Sequence, residues 1–357
     1  MRRAPWIPLL YISVSALAPA TGCCPNITSS KEANRSQGNA HTYSPSTALK
    51  KRLRASLEKA TRYLDSLSID PKELQRAGVK GKKKLAEALD AYSLLWSAAP
   101  SRAAKAHAME RMKELVATTK AKGYHGMGEV PQKVFRENST SYLRIPFLMK
   151  RMGLDTSTYE REIRRVLPRL NSHLATRGAH QRMAFRIYYK ALGLEIPPVL
   201  KSRLQGGWIT KRANPYEMNR AASYSLAHEV FCLYGFGGRE GQVALAAPQR
   251  RYLNRALEIL AVLAVRHRET DLLGELLTCL ALLRNRQAPV FGEGLSFLLQ
   301  SQKPDGSWGR YPRLRKKHGE TTDLRFVLHT TLVVVEALVY ALGTPRWQGH
   351  QPKGSSP

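Results

Sequence analysis

Acidic residues are what this sequence has least of for its size. Against 57 lysines and arginines stand only 27 aspartates and glutamates, giving a formal net charge of +30. A field of that sign works against basic partners and favours acidic ones such as anionic lipid head groups or acidic polysaccharide. The basic residues are spread along the chain, so a highly charged surface with no acidic partner explains them as well. Cysteine is scarce too. The four, Cys23, Cys24, Cys232 and Cys279, form no CxxC zinc pattern. Cys232 and Cys279 lie in helical patterns, where cysteine is usually a small buried hydrophobe, and a disulfide between them stays open. No alternating apolar pattern suggests strands, which excludes a sheet-based fold. The apolar stretch Trp6 to Ala18 is too short for a membrane span.

That stretch follows Arg2 and Arg3, and together they read as an export signal over 1–22. Ala18-Pro19-Ala20 suits a small-residue cleavage site. Ala20-Thr21-Gly22-Cys23 resembles a bacterial lipobox, which implies lipidation at Cys23, an envelope location and a membrane held through the N-terminal lipid. The alternative is a secreted chain. Residues 23–45 are rich in Ser, Thr, Asn and Pro and read as a flexible tether. Amphipathic helical patterns fill 46–123 as an N-terminal helical region. From 124 to 343 helices end at Met152-Gly153, Leu192-Gly193, Tyr234-Gly235 and Leu342-Gly343. Glycine after a helix is a stop signal, and a period near 40 residues suits helix-hairpin repeats. Residues 344–357 read as a disordered tail.

The most informative stretch is Gly294 to Trp308, GLSFLLQSQKPDGSW. Leu295, Phe297 and Leu298 give a helix an apolar face, and Pro304-Asp305-Gly306 breaks it. Gln302 can bond backbone groups freed at the break, and Trp308 can cover the joint. The spacing of Phe297-Leu298, Gln302, Gly306 and Trp308 resembles the glutamine-tryptophan repeat of the terpene-cyclase and prenyltransferase superfamily. A weaker echo lies at Leu204-Gln205-Gly206-Gly207-Trp208, and Leu328-His329-Thr330-Thr331 resembles the last hairpin. The resemblance implies an all-α fold of helix-hairpin repeats forming a partial or complete α/α-toroid over about 200–343. The chain is also similar to bacterial helical domains carrying Ala227-His228-Glu229-Val230-Phe231 and Asp271 to Leu277, a likeness that supplies no activity.

The superfamily's catalytic residues are missing. Neither Asp-x-Asp-Asp nor Asp-Asp-x-x-Asp occurs, so isoprenoid cyclisation is not implied. Of the prenyltransferase zinc ligands only His329-Thr330 has a counterpart. A looser set remains if 215–234, 271–284 and 323–342 are successive inner helices. His228, Glu275 and His329 would then line one concavity as metal ligands or catalytic groups, with Asp271 one turn from Glu275 on the same face. Asp323 and Glu336 lie on the same proposed helix as His329. The structural alternative is that these groups satisfy helix ends and buried neighbours. Tyr216, Asn219, Arg220, Tyr224 and His228 offer a polysaccharide-lyase-like reading by analogy alone. His180 and Arg182, at a helix start, form a candidate anion site. No nucleic-acid module is evident, and export argues against nucleic acid.

The expectation is an exported all-α protein that binds or scaffolds an acidic or lipid-like partner. Its rival is an enzyme with its site in the concavity. An enzyme needs the inner polar residues to converge, whereas a scaffold can scatter them. No cofactor is indicated.

Overall fold

The computed structural model describes residues 44–67, 79–119, 126–201, 206–237, 245–309, 311, 316–317 and 326–343. All of them lie in one compact unit, Tyr43–Pro357. The segments expected to be an export signal and most of the tether, with Cys23, fall outside the described residues, as do Asp323 and residues 344–357.

Among the described residues the chain is all-helical, with twelve α-helices and no strand. They are α1 Thr47–Ser66, α2 Val79–Ala98, α3 Arg102–Thr118, α4 Gln132–Arg151, α5 Ser157–Asn171 and α6 Ala179–Ala191. After these come α7 Trp208–Lys211, α8 Arg220–Leu233, α9 Ala247–Arg266, α10 Thr270–Leu282, α11 Pro289–Gln300 and α12 Leu328–Leu342. Side-chain caps start several of them, as Ser46 does for α1, Ser101 for α3 and Asn219 for α8. Two of the glycine stops close with the expected left-handed turn. Leu154 N bonds Met149 O at 2.9 Å past Gly153, and Leu194 N bonds Tyr189 O at 2.8 Å past Gly193. The same turn ends α9 and α10, with Arg268 and Arg284 at the left-handed position. Gly343 is extended instead.

The helices alternate in environment. α2 packs on α4, α4 on α6, α6 on α8, α8 on α10, α10 on α12, and α12 back on α2. The longer odd-numbered helices pack against this succession, α3 on α2, α5 on α4, α9 on α10, and α1 on α12, while α1 also meets α11. From the N-terminal helical region, α2 packs on both α4 and α12. Apolarity explains the burial of α10. Every residue from Leu272 to Leu282 is buried, the pattern of a helix packed on all sides. α10 and α12 approach closely at Gly274, where a Cβ would stand 2.9 Å from the Val333 carbonyl oxygen. Cys232 and Cys279 are buried free thiols, so the disulfide left open by the sequence does not form.

The stretch around Trp308 works as read, with one addition. Trp308 is fully buried, and its indole N–H donates to Leu298 O at 2.7 Å. Asp305 Oδ1 accepts from Ser307 N at 2.9 Å and so shapes the turn. Gln302 Nε2 donates to Gly306 O at 2.9 Å, as a break-satisfying residue should. It also donates to Ser56 O at 2.9 Å, while Ser56 Oγ donates back to Gln302 Oε1 at 2.9 Å. The turn thus clasps α1 from a point 246 residues further along the chain. Of the echo at 204–208, Leu204 and Gln205 lie outside the described residues. Trp208 begins α7, where the Glu229 carboxylate accepts from Trp208 N at 2.8 Å and Ile209 N at 3.0 Å.

Candidate functional site

Five of the six even-numbered helices carry polar residues at helical spacing. On α2 these are Lys83, Glu87 and Asp90; on α4, Arg144 and Arg151; on α8, Arg220, Tyr224 and His228. On α10 they are Asp271 and Glu275, and on α12 His329 and Glu336. Steps of three, four, seven and eight residues keep each set on one side of its helix. In α12, His329 and Glu336 are the two breaks in an otherwise buried run from Leu328 to Ala341. At 1.5 Å per residue they lie two turns apart, about 10 Å along the axis.

The first turns of α8, α10 and α12 meet in an upper cluster. Tyr224 donates to Asp271 Oδ2 at 2.6 Å, and Arg220 donates to the Tyr224 oxygen at 3.1 Å. Arg220 also faces Glu269 at 3.5 Å and Asp271 at 3.6 Å. His329 stands between two carboxylates, with Nδ1 2.9 Å from Glu87 and Nε2 3.5 Å from Asp271. Lys83 reaches Glu87 at 3.4 Å. One turn deeper, His228 Nε2 lies 3.4 Å from Glu275 Oε2, and the His180 ring meets the His228 ring edge-on at 5.3 Å. Lower still, Arg144 pairs with Asp90, and Arg151 donates to Phe236 O at 3.0 Å.

These environments pull the ionisable groups apart. Burial works against a charge on Glu87, but the hydrogen bond and charge of His329, helped by Lys83 and Arg144, hold its carboxyl down at about 2. Burial likewise opposes charging His329, yet Glu87 and then Asp271 raise it above its ordinary value. Burial pulls His180 down to about 4, the His228 ring adding to the effect and Glu275 opposing it. Glu336 goes the other way. Burial and the charges of Asp90 and Glu275 push it up to about 8 against Arg144 and Arg151.

The sequence-derived candidates separate into two pairs. Glu275 meets His228, whereas His329 meets Glu87 and Asp271. Among the described residues no group of three or more His, Cys, Asp or Glu side chains is arranged to hold a metal ion. His180 and Arg182 both lie in the first turn of α6 but diverge. His180 faces His228, and Arg182 donates back to the Arg177 carbonyl. Tyr216 is exposed, and Asn219 serves as the cap of α8. The sequence reading missed Glu87, Asp90 and Arg144. The spacing of Lys83, Glu87 and Asp90 on an otherwise apolar helix was the available signal.

The geometry defines an all-α protein in which six helices pack in a closed succession and bring ionisable side chains into contact. The chain belongs to the family described as a domain of unknown function (DUF6895), which it matches over residues 53–339. The match runs from α1 into α12 and so covers every helix of the succession. No curated protein and no solved structure matches the chain.

Proposed function

We propose that the even-numbered helices are the inner ring of an α/α-toroid and that its concavity is an enzyme site using general acid–base chemistry on a small polar substrate. The observation that supports this is the pairing of each histidine with a carboxylate, His329 with Glu87 and Asp271 and His228 with Glu275, the two sets linked by Asp271 and Glu275 one turn apart on α10. In this reading His329 donates a proton and His228 accepts one, Glu87 and Glu275 orient the two rings, and Tyr224 and Arg220 fix Asp271. No step needs a metal. Uronate-containing and neutral oligosaccharides are the first substrates to try, because the toroid analogy and the basic charge both suit them. The test follows product release by the intact protein, His329→Gln and His228→Gln. Turnover that either substitution abolishes without unfolding the protein supports the reading. Turnover that both variants retain removes the site.

The outer surface supports a second reading, that the protein is exported and engages an acidic partner. Lys51, Arg52 and Arg54 of α1, Arg161, Arg164 and Arg165 of α5, and Arg251 and Arg255 of α9 are exposed. Co-sedimentation with phosphatidylglycerol vesicles, compared with phosphatidylcholine, should show binding that salt weakens. Lipid at the proposed anchor is checked by mass spectrometry of the mature N-terminus. An unmodified Cys23 would remove the lipid-anchored version.

A further inference from the structure

Large apolar side chains are exposed at few places among the described residues, and the two most exposed fall on neighbouring elements. They are Tyr216, 70% exposed, on the single helical turn Pro215–Glu217, and Val262, 51% exposed, on α9. That turn and α7 both pack on α9, and Tyr252 of α9 donates to Ala213 O at 3.0 Å. Arg251, Arg255, Val262 and Arg266 are all exposed. Their steps of four, seven and four residues put them within about 60° on one side of α9. Lys211 and Arg212, exposed at the end of α7, add two more cations. Lys211 Nζ stands 5.2 Å from the centre of the half-buried Trp208 ring. Acids are scarce here. Glu217 is the one exposed carboxylate on these three elements, and it accepts from Asn214 at 3.0 Å. Glu258 of α9 is half-buried and accepts from Asn285 at 2.6 Å. Arg212, Arg251, Arg255 and Arg266 make no ion pair among the described residues. The other basic helices differ. On α5, Arg165 faces Glu162 at 3.7 Å, and on α1 Glu58 is exposed among the cations.

We infer that this face, α9 with the segment 208–217, docks on an anionic phospholipid surface. The inference rests on the reading that the protein engages an acidic partner, and it names both the partner and the face. The sign of the partner follows from arginines that no carboxylate of the same face neutralises. Cations held near an anionic membrane add their attraction residue by residue, and salt weakens the sum. The apolar members decide between a lipid and a glycan. Val262 interrupts the arginine stripe with a side chain that has nothing to offer a sugar, but that gains by entering the boundary between head groups and acyl chains. Lys211 takes one side of the Trp208 ring and so closes that side to a stacking sugar. Tyr216 carries an apolar ring with a polar tip, the combination suited to head-group level.

The test is co-sedimentation of the intact protein with vesicles of phosphatidylglycerol and phosphatidylcholine in equal parts, beside retention by immobilised polygalacturonate. The side chains to be changed are exposed, so the variants keep the fold. Arg251→Gln combined with Arg255→Gln should weaken vesicle binding about tenfold or more and flatten its dependence on salt. Tyr216→Ser should weaken it about threefold at low and high salt alike. Lys51→Gln combined with Arg52→Gln removes the same number of charges from α1 and should change binding by less than about twofold. Equal weakening by the α1 and α9 pairs would overturn the face and leave the acidic-partner reading standing. Retention by polygalacturonate without binding to the vesicles would do the same. Binding to neither would remove both.

Discussion

Trp308 is the residue on which the last turn depends. Its ring is fully buried, and its N–H satisfies Leu298 O at a helix end. Replacing it with alanine removes both and leaves a cavity, so denaturant melts should show a loss of about 3–5 kcal/mol. Arg284 makes the opposite case. It sits at φ 62°, where an L side chain is strained, in a turn that glycine serves better. Arg284→Gly should stabilise the protein by about 0.5–1 kcal/mol in the same melts. Loss of stability there would mean that the guanidinium does more than fill a turn position.

Among the elements, the turn 302–308 and α1 behave as one unit. Gln302→Ala removes the two bonds to Ser56 and the bond to Gly306 O, at a cost of about 1–3 kcal/mol. Hydrogen exchange should show α1 losing protection first, because the clasp is what ties it to the end of the chain. Uniform loss across all helices would instead mean that α1 is held by its apolar face. Gly306→Ala should be worse, since φ is +93° and a Cβ would run into the Lys59 carbonyl. Much of this was legible beforehand. Gln302, the Pro-Asp-Gly turn and Trp308 each carry a local chemistry with one geometric use, and the helices followed from apolar spacing. The partner of Gln302 was not legible, because nothing local in Ser56 marks it as a neighbour of residue 302. The site split in the same way. His228, Glu275, Asp271 and His329 stand out as polar residues in apolar helices. The pairing of His329 with Glu87 depends on α12 packing against α2, a long-range contact that no spacing encodes.

For the whole molecule, the enclosed charges set how stability varies with pH. Glu87 is held below its unfolded value, so its contribution is present above about 4.3 and fades as pH falls towards 2. His329 is raised, so its contribution is full below about 6.5 and fades as pH climbs through its folded value. Glu336 is a carboxyl raised to about 8, so the folded state keeps a proton that the unfolded state gives up. Its effect is to lower stability progressively from about pH 4.3 to pH 8. Urea melts at pH 5, 7 and 9 should therefore show Glu336→Gln gaining on the parent protein as pH rises. Parallel curves for the two proteins would mean that Glu336 is ionised in the folded state throughout.

The clasp between Gln302 and Ser56 also bears on how the protein is made. α1 and α2 leave the ribosome early, but their partners in α11, α12 and the turn at 302–308 emerge more than 180 residues later. Until residue 342 is out, the faces of α2 and α10 that receive α12 have no cover. A nascent chain arrested before α12 would present two apolar helix surfaces to chaperones. A chain re-cut elsewhere, with its original ends joined by a linker, would have α12 and α1 in place from the start.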